Sequence, residues 1–360
     1  MQVLLDATPL ARGHAARGIG IATRELISAL ARVRSPDQRP ELLTTGDQTV
    51  PAGYATHRFR WPRWRVPRIP DPWPALHLHT ALDKLRPRLF HATQPDLMPD
   101  PGQFATAVTC YDLIPLHLPL RNPLQRHVYG TFLQRLTRAQ VVLAISQATA
   151  DDLTAQLGIP AERIRVVYLG LPPAPTPSGP TPTRPYVLYA NSIEPHKNPR
   201  LAIDAVARTR DIHLVMTGTW SRRRLARLHE HAAAAGVVDR VHWLGYTPAE
   251  QLAALRRDAV AALVPSRMEG FGFPVLEALA AGTPAIAADI PALREAGGDA
   301  AVYLDPDDAD GWSQTIERLA TQPEERTVIA ERGHAHAAGF TWERTAEATI
   351  DAWREVLRRG

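Results

Sequence analysis

Cysteine is almost absent from this 360-residue chain, with Cys110 standing alone. A single thiol excludes an internal disulfide framework and fits a reducing compartment. Lysine is nearly as scarce: Lys84 and Lys197 are the only two, and arginine carries the rest of the positive side-chain charge. No apolar run approaches the roughly 20 residues needed to cross a bilayer. The opening Met1-Gln2-Val3-Leu4-Leu5-Asp6 lacks the charged and apolar regions of a signal peptide. These absences lead to an expected cytoplasmic protein. Zinc-finger spacings, RNP-type aromatic motifs and long basic helices are missing too, which argues against nucleic acid as a partner. The net charge of +4 suits anionic substrates or a membrane surface instead. No short-period repeat is visible, which excludes a solenoid.

What remains is an alternation of short apolar runs with amphipathic stretches. Residues 3–5, 41–45, 89–92, 105–109, 141–145 and 164–168 read as strands, and 19–30, 123–138 and 149–157 as helices. A proline-dense segment over 170–185 forms neither helix nor central strand and reads as a linker. Beyond it the alternation restarts, with strands expected at 186–190, 212–216, 240–244, 259–264, 285–287 and 301–304. Repeated β-α units predict parallel sheets with right-handed crossovers. The expected fold class is α/β: two Rossmann-like, doubly wound parallel-sheet domains, 1–170 and 186–340, facing a central cleft across the linker 171–185. A closing helix over 341–360 carries the stripe Trp342, Ala346, Ile350, Trp353 and Leu357, read as core packing directed back toward the first domain.

The richest stretch is Glu269-Gly-Phe-Gly-Phe-Pro-Val-Leu-Glu277, two carboxylates eight positions apart around a Gly-Phe-Gly turn. Pro274 is expected at the first position of a helix, where its missing N–H is harmless. The amides of Gly272, Phe273 and Val275 then point out of the helix N-terminus, which suits phosphate. Carboxylates on either side suit hydroxyls, so the pattern fits a sugar nucleotide. Asp305-Pro306-Asp307 reads as a loop, and His77/His79 and His334/His336 lack a third ligand at a convincing spacing, so no metal is expected. The basic, tryptophan-rich segment 58–73 has two readings. One is a peripheral contact with anionic lipid through Trp61, Trp64 and Arg65; the other is a proline-rich loop packed on its domain.

Ser266 to Ile286 closely resembles the signature of the family 4 glycosyltransferases, retaining enzymes of the GT-B fold. Ala190-Asn-Ser-Ile-Glu-Pro-His-Lys-Asn198 resembles their phosphate-binding loop, and Gly18-Ile-Gly-Ile-Ala-Thr-Arg-Glu-Leu26 their N-terminal glycine loop and helix. Tyr111 to Pro115, Ala144 to Leu153 and Phe340 to Glu343 are similar to further family segments, in order. The resemblance covers nearly the whole chain and points toward bacterial cell-envelope mannosyl- and glucosyltransferases.

The resemblance implies roles. Glu277 accepts hydrogen bonds from the ribose hydroxyls of a donor nucleotide; the alternative is a first-turn glutamate that suits the helix dipole. Glu269 contacts a hydroxyl of the donor sugar and supports positive charge at its anomeric carbon. Lys197 pairs with the diphosphate, joined by the amides of Gly272 and Phe273 and by His196 when protonated. Gly18 and Gly20 allow close backbone approach to the donor, or simply precede a helix. Asp112 is a catalytic-side sugar or acceptor contact, or a turn aspartate. Tyr111 stands where many relatives carry histidine, and Ser192 and His196 where arginines are frequent. Ser146 is a helix cap or a polar group on the acceptor side.

The implied reaction moves a hexose from GDP-mannose or a UDP-hexose to a hydroxyl of a glycan or lipid-linked acceptor. Configuration is retained, and neither metal nor cofactor takes part. The expected place is the cytoplasm and the inner face of the cell membrane. Two alternatives remain: a catalytically impaired sugar-nucleotide-binding subunit, motivated by Ser192, His196 and Tyr111, and another GT-B reaction such as epimerisation.

Overall fold

The computed structural model describes residues 3–11, 18–35, 38–45, 50–58, 73–99, 104–118, 130–131 and 133–359. Trp61, Trp64 and Arg65 lie outside the described residues, as do 123–129 and 132 of the helix expected over 123–138. The chain divides into two compact units, Met1–Pro172 with Thr341–Gly360, and Pro173–Phe340.

The first unit is built on a seven-stranded sheet of β1 (Val3–Asp6), β2 (Glu41–Thr44), β3 (Thr56–Arg58), β4 (Leu89–Ala92), β5 (Ala105–Cys110), β6 (Val141–Ala144) and β7 (Ile164–Val166). The order is β3-β2-β1-β4-β5-β6-β7, and every pairing is parallel. β1, β4 and β6 are buried along their whole length. That explains their mostly apolar sequences, interrupted only by Asp6 and His91, since helices cover both faces of such a sheet. The edge strand β3 and the helix Trp73–Leu85 were not expected. The first is three polar residues, and the second opens with a tryptophan and a proline, a weak signal for a helix start.

The closing helix Trp342–Arg359 belongs to this unit and packs against the helix Gly18–Val33. Its stripe residues Trp342, Ala346, Ile350 and Trp353 are buried. Gly170 permits the seat: a Cβ there would sit 2.3 Å from the Trp342 amide nitrogen. Arg165 forks onto Glu355, its Nε 2.7 Å from Oε2. Trp353 Nε1 donates to His91 Nδ1 at 3.1 Å, which leaves Nε2 to donate to Thr109 Oγ1 at 2.9 Å. Burial pulls His91 down to about 3, so the imidazole is neutral and its tautomer is set by the indole.

The second unit carries β8 (Tyr186–Ala190), β9 (His213–Thr217), β10 (Val241–Gly245), β11 (Ala261–Val264), β12 (Ala285–Ala288) and β13 (Val302–Leu304). The order is β10-β9-β8-β11-β12-β13, again all parallel. The proline segment is less of a tether than its composition predicts. From Pro173 onward it counts with this unit and is laid along the helix Ala249–Asp258. Ser178 N donates to Glu250 O at 3.0 Å, and Thr181 Oγ1 to Asp258 Oδ2 at 3.0 Å.

Candidate functional site

In an open parallel sheet, ligands bind at the carboxyl ends of the strands where the strand order reverses. In the second unit those strands are β8 and β11. The loop after β8 holds His196 and Lys197; the loop after β11 holds Ser266 to Gly272. Two bonds lace them together: Arg267 N donates to His196 O at 2.7 Å, and Lys197 Nζ to Glu269 Oε2 at 2.6 Å. The ion pair is nearly enclosed, with side chains 15% and 8% exposed.

Local chemistry holds this geometry. Tyr189, on β8, donates its hydroxyl to Ser192 O at 2.6 Å. The chain then makes a single 3-10 turn over Pro195–Lys197. Asn198 takes a left-handed conformation that short polar side chains tolerate, and its Nδ2 donates to Pro306 O at 2.9 Å. Arg267 forks onto Asp307, one arm at 3.0 Å. The loop Asp305-Pro306-Asp307 is thus a brace for both halves of the site.

Three buried polar atoms in these loops have no hydrogen-bond partner: Glu269 Oε1, His196 Nδ1 and Ser266 Oγ. Each orphan costs about 1–3 kcal/mol, and native folds rarely leave one without a reason. Three of them on two laced loops concentrate unmet hydrogen-bonding capacity at the reversal of this sheet. Burial, and then the charge of Lys197, hold His196 below its usual range, while Glu269 and Glu194 pull the other way.

The helix beyond the turn runs Phe273–Ala280, so Pro274 is its second residue, not its first. Gly272 reaches φ +128, and a Cβ there would meet Ala296 Cβ at 2.9 Å. The expected cradle of three amides is corrected to two. Val275 N donates to Gly272 O at 2.9 Å, because the helix begins a residue early and consumes that donor. Glu277 falls in the second turn, outside the first-turn position that the alternative dipole reading supposed, and pairs with Arg256 of the helix Ala249–Asp258. Sequence reasoning missed Arg256: nothing local links residues 21 positions apart.

The other expected residues lie in the first unit. Gly18 and Gly20 open the helix Gly18–Val33 instead of forming a loop before it. Asp112 Oδ1 accepts from Ile114 N at 3.0 Å, closing the turn after β5. Tyr111 is half-buried beside Thr23, Thr93 and Thr109 on a cavity of about 20 Å³, and burial raises its hydroxyl pKa. Ser146 is fully buried; its Oγ accepts from Thr149 N at 2.9 Å as the cap of the helix Gln147–Leu157, which favours the cap over an acceptor contact. Asp6, not singled out in the sequence, ends β1 at this sheet's own reversal. It accepts from Thr8 N and Thr93 Oγ1, both at 2.8 Å.

The sequence family described as Glycosyl transferases group 1 matches residues 175–336, and Glycosyltransferase Family 4 matches 16–174. The O-antigen chain mannosyltransferase B of Escherichia coli is 30% identical over 275 residues, covering 71% of each chain. The chain belongs to the group 1, family 4 glycosyltransferases. This glycosyltransferase is also 35% identical to the D-inositol 3-phosphate glycosyltransferase of Salinispora tropica over 190 residues, 49% of this chain and 39% of that one. Among solved structures, sucrose-phosphate synthase from Thermosynechococcus elongatus superposes with a TM-score of 0.80 at 19% identity, covering 99% of each chain. Anabaena HepE, in complex with UDP, gives 0.73 at 17% identity, over 99% of this chain and 100% of that one. These likenesses give the glycosyltransferase the GT-B fold, as its two parallel sheets already indicated.

Proposed function

We propose that this glycosyltransferase moves a hexose from GDP-mannose or a UDP-hexose to a hydroxyl of a glycan or lipid-linked acceptor, retaining the anomeric configuration and using no metal or cofactor. The Lys197–Glu269 pair at the reversal of the second sheet carries this reading. Lys197 supplies the positive charge that a departing diphosphate needs, assisted by the amides of Gly272 and Phe273. Once Lys197 turns to the phosphate, Glu269 is free to accept from a sugar hydroxyl and to support charge at the anomeric carbon. Glu277, steadied by Arg256, accepts from the ribose hydroxyls. The acceptor oxygen bonds to the anomeric carbon on the face from which the phosphate leaves, and the leaving phosphate oxygen takes the acceptor's proton, so no separate base is needed.

The named mannosyltransferase relative supports a mannose donor, and the UDP and UDP-glucose complexes of HepE support a nucleotide-diphosphate donor. No helix among the described residues is long and apolar enough to cross a membrane. We place the reaction in the cytoplasm, with a lipid-linked acceptor met at the inner face of the cell membrane. A second reading, a sugar-nucleotide-binding subunit without turnover, is favoured by Asp112, whose Oδ1 already closes a turn.

Proton NMR of the product formed in EDTA separates the readings. Transfer at an undiminished rate, with the donor's anomeric configuration kept, is expected. An inverted product, or transfer abolished by EDTA, contradicts the mechanism. Donor binding with neither transfer nor hydrolysis establishes the second reading.

A further inference from the structure

His196 lies beside the Lys197–Glu269 pair but takes no part in it. Its backbone is pinned by Arg267 N, and its Nδ1 is buried without a partner. The charged groups that face it are Lys197 and Glu194 from its own turn, Glu269 from the loop after β11, and Arg224 from the helix Arg222–Ala234. They balance in pairs, Lys197 with Glu269 and Arg224 with Glu194. A neutral imidazole fits that balance, and burial keeps it neutral.

A sugar nucleotide upsets the balance. This step rests on the donor-site reading above. The diphosphate adds two negative charges and draws Lys197 to itself. Glu269, whose side chain is 8% exposed and whose Oε1 already lacks a partner, would lose its cation in a poorly solvated place. A buried charge stripped of its partner is strongly unfavourable. We propose that His196 takes up one proton from solvent as the sugar nucleotide binds, and that the imidazolium replaces Lys197 as the cation beside Glu269. The proton ends on the ring, and both ring nitrogens become donors.

The linkage has a definite sign. Where the free enzyme's His196 is neutral and the bound one charged, affinity rises as pH falls, by up to about tenfold per pH unit for one proton.

Calorimetric titration with UDP-glucose and GDP-mannose, near neutral pH and in buffers of unlike ionisation heat, tests the proposal. These donors are diphosphate diesters and release no proton of their own in that range. Wild type is expected to bind one of them with an enthalpy that depends on the buffer and reports uptake approaching one proton. His196→Gln is expected to bind with a buffer-independent enthalpy and an affinity flat in pH. Firm wild-type binding without buffer dependence, or unchanged uptake in the variant, overturns the proposal while sparing the donor site. Failure of wild type to bind any sugar nucleotide overturns the donor-site reading and the proposal with it. If the variant does not fold, the ¹⁵N shifts of the wild-type His196 ring decide: imidazolium values on donor binding support the proposal, and neutral values refute it.

Discussion

Lys197→Ala is expected to lower kcat/KM for the sugar nucleotide by about 10²–10³-fold, with most of the loss in kcat. The size follows from where charge appears. As the glycosyl bond breaks, negative charge gathers on the phosphate, and Lys197 lies in the loop after β8, where the proposed donor site would hold that phosphate. A contact that strengthens in the transition state changes kcat, not only binding. The same substitution strands Glu269, and breaking a buried pair by removing one partner costs about 3–5 kcal/mol of stability. Urea unfolding separates the two effects. Adding Glu269→Gln to Lys197→Ala should recover part of the stability and none of the activity. A Lys197→Ala enzyme with wild-type kcat contradicts the assignment.

Glu277→Ala should behave differently. The ribose is remote from the breaking bond, so its hydroxyls are held alike in ground and transition states, and their loss appears mainly in KM. Two hydrogen bonds to a charged acceptor, at about 1.5–3 kcal/mol each, set an expected rise in KM of about 10²-fold or more. Arg256→Leu should raise KM less, because it frees the carboxylate without removing it. Steady-state kinetics with the donor varied would reveal the contrast. A fall in kcat equal to that of Lys197→Ala would place Glu277 at the reacting centre instead.

The strands were legible because a sheet covered on both faces demands apolar runs, as in β6 and over Val3–Leu5 of β1. β3 was not, since three edge residues supply too little pattern. The Glu269–Glu277 segment was legible as a turn entering a helix, yet one residue of error in the helix start changed the fate of the Val275 amide. The Lys197–Glu269 bond joins residues 72 apart. No local periodicity brings them together; the strand order does, by setting β8 beside β11. The same holds for Arg256 under Glu277 and for the Asp305-Pro306-Asp307 brace. Asp112 and Ser146 each had two readings in the sequence, and their bonds to Ile114 N and Thr149 N are what the structure adds.

Hydrogen–deuterium exchange of the wild-type enzyme, with and without UDP-glucose or GDP-mannose, tests the donor site most directly. The site built at the β8–β11 reversal predicts slowed exchange over residues 191–198 and 266–277 when the donor binds. Donor binding that protects only the first unit, and leaves both of those segments unchanged, would contradict it.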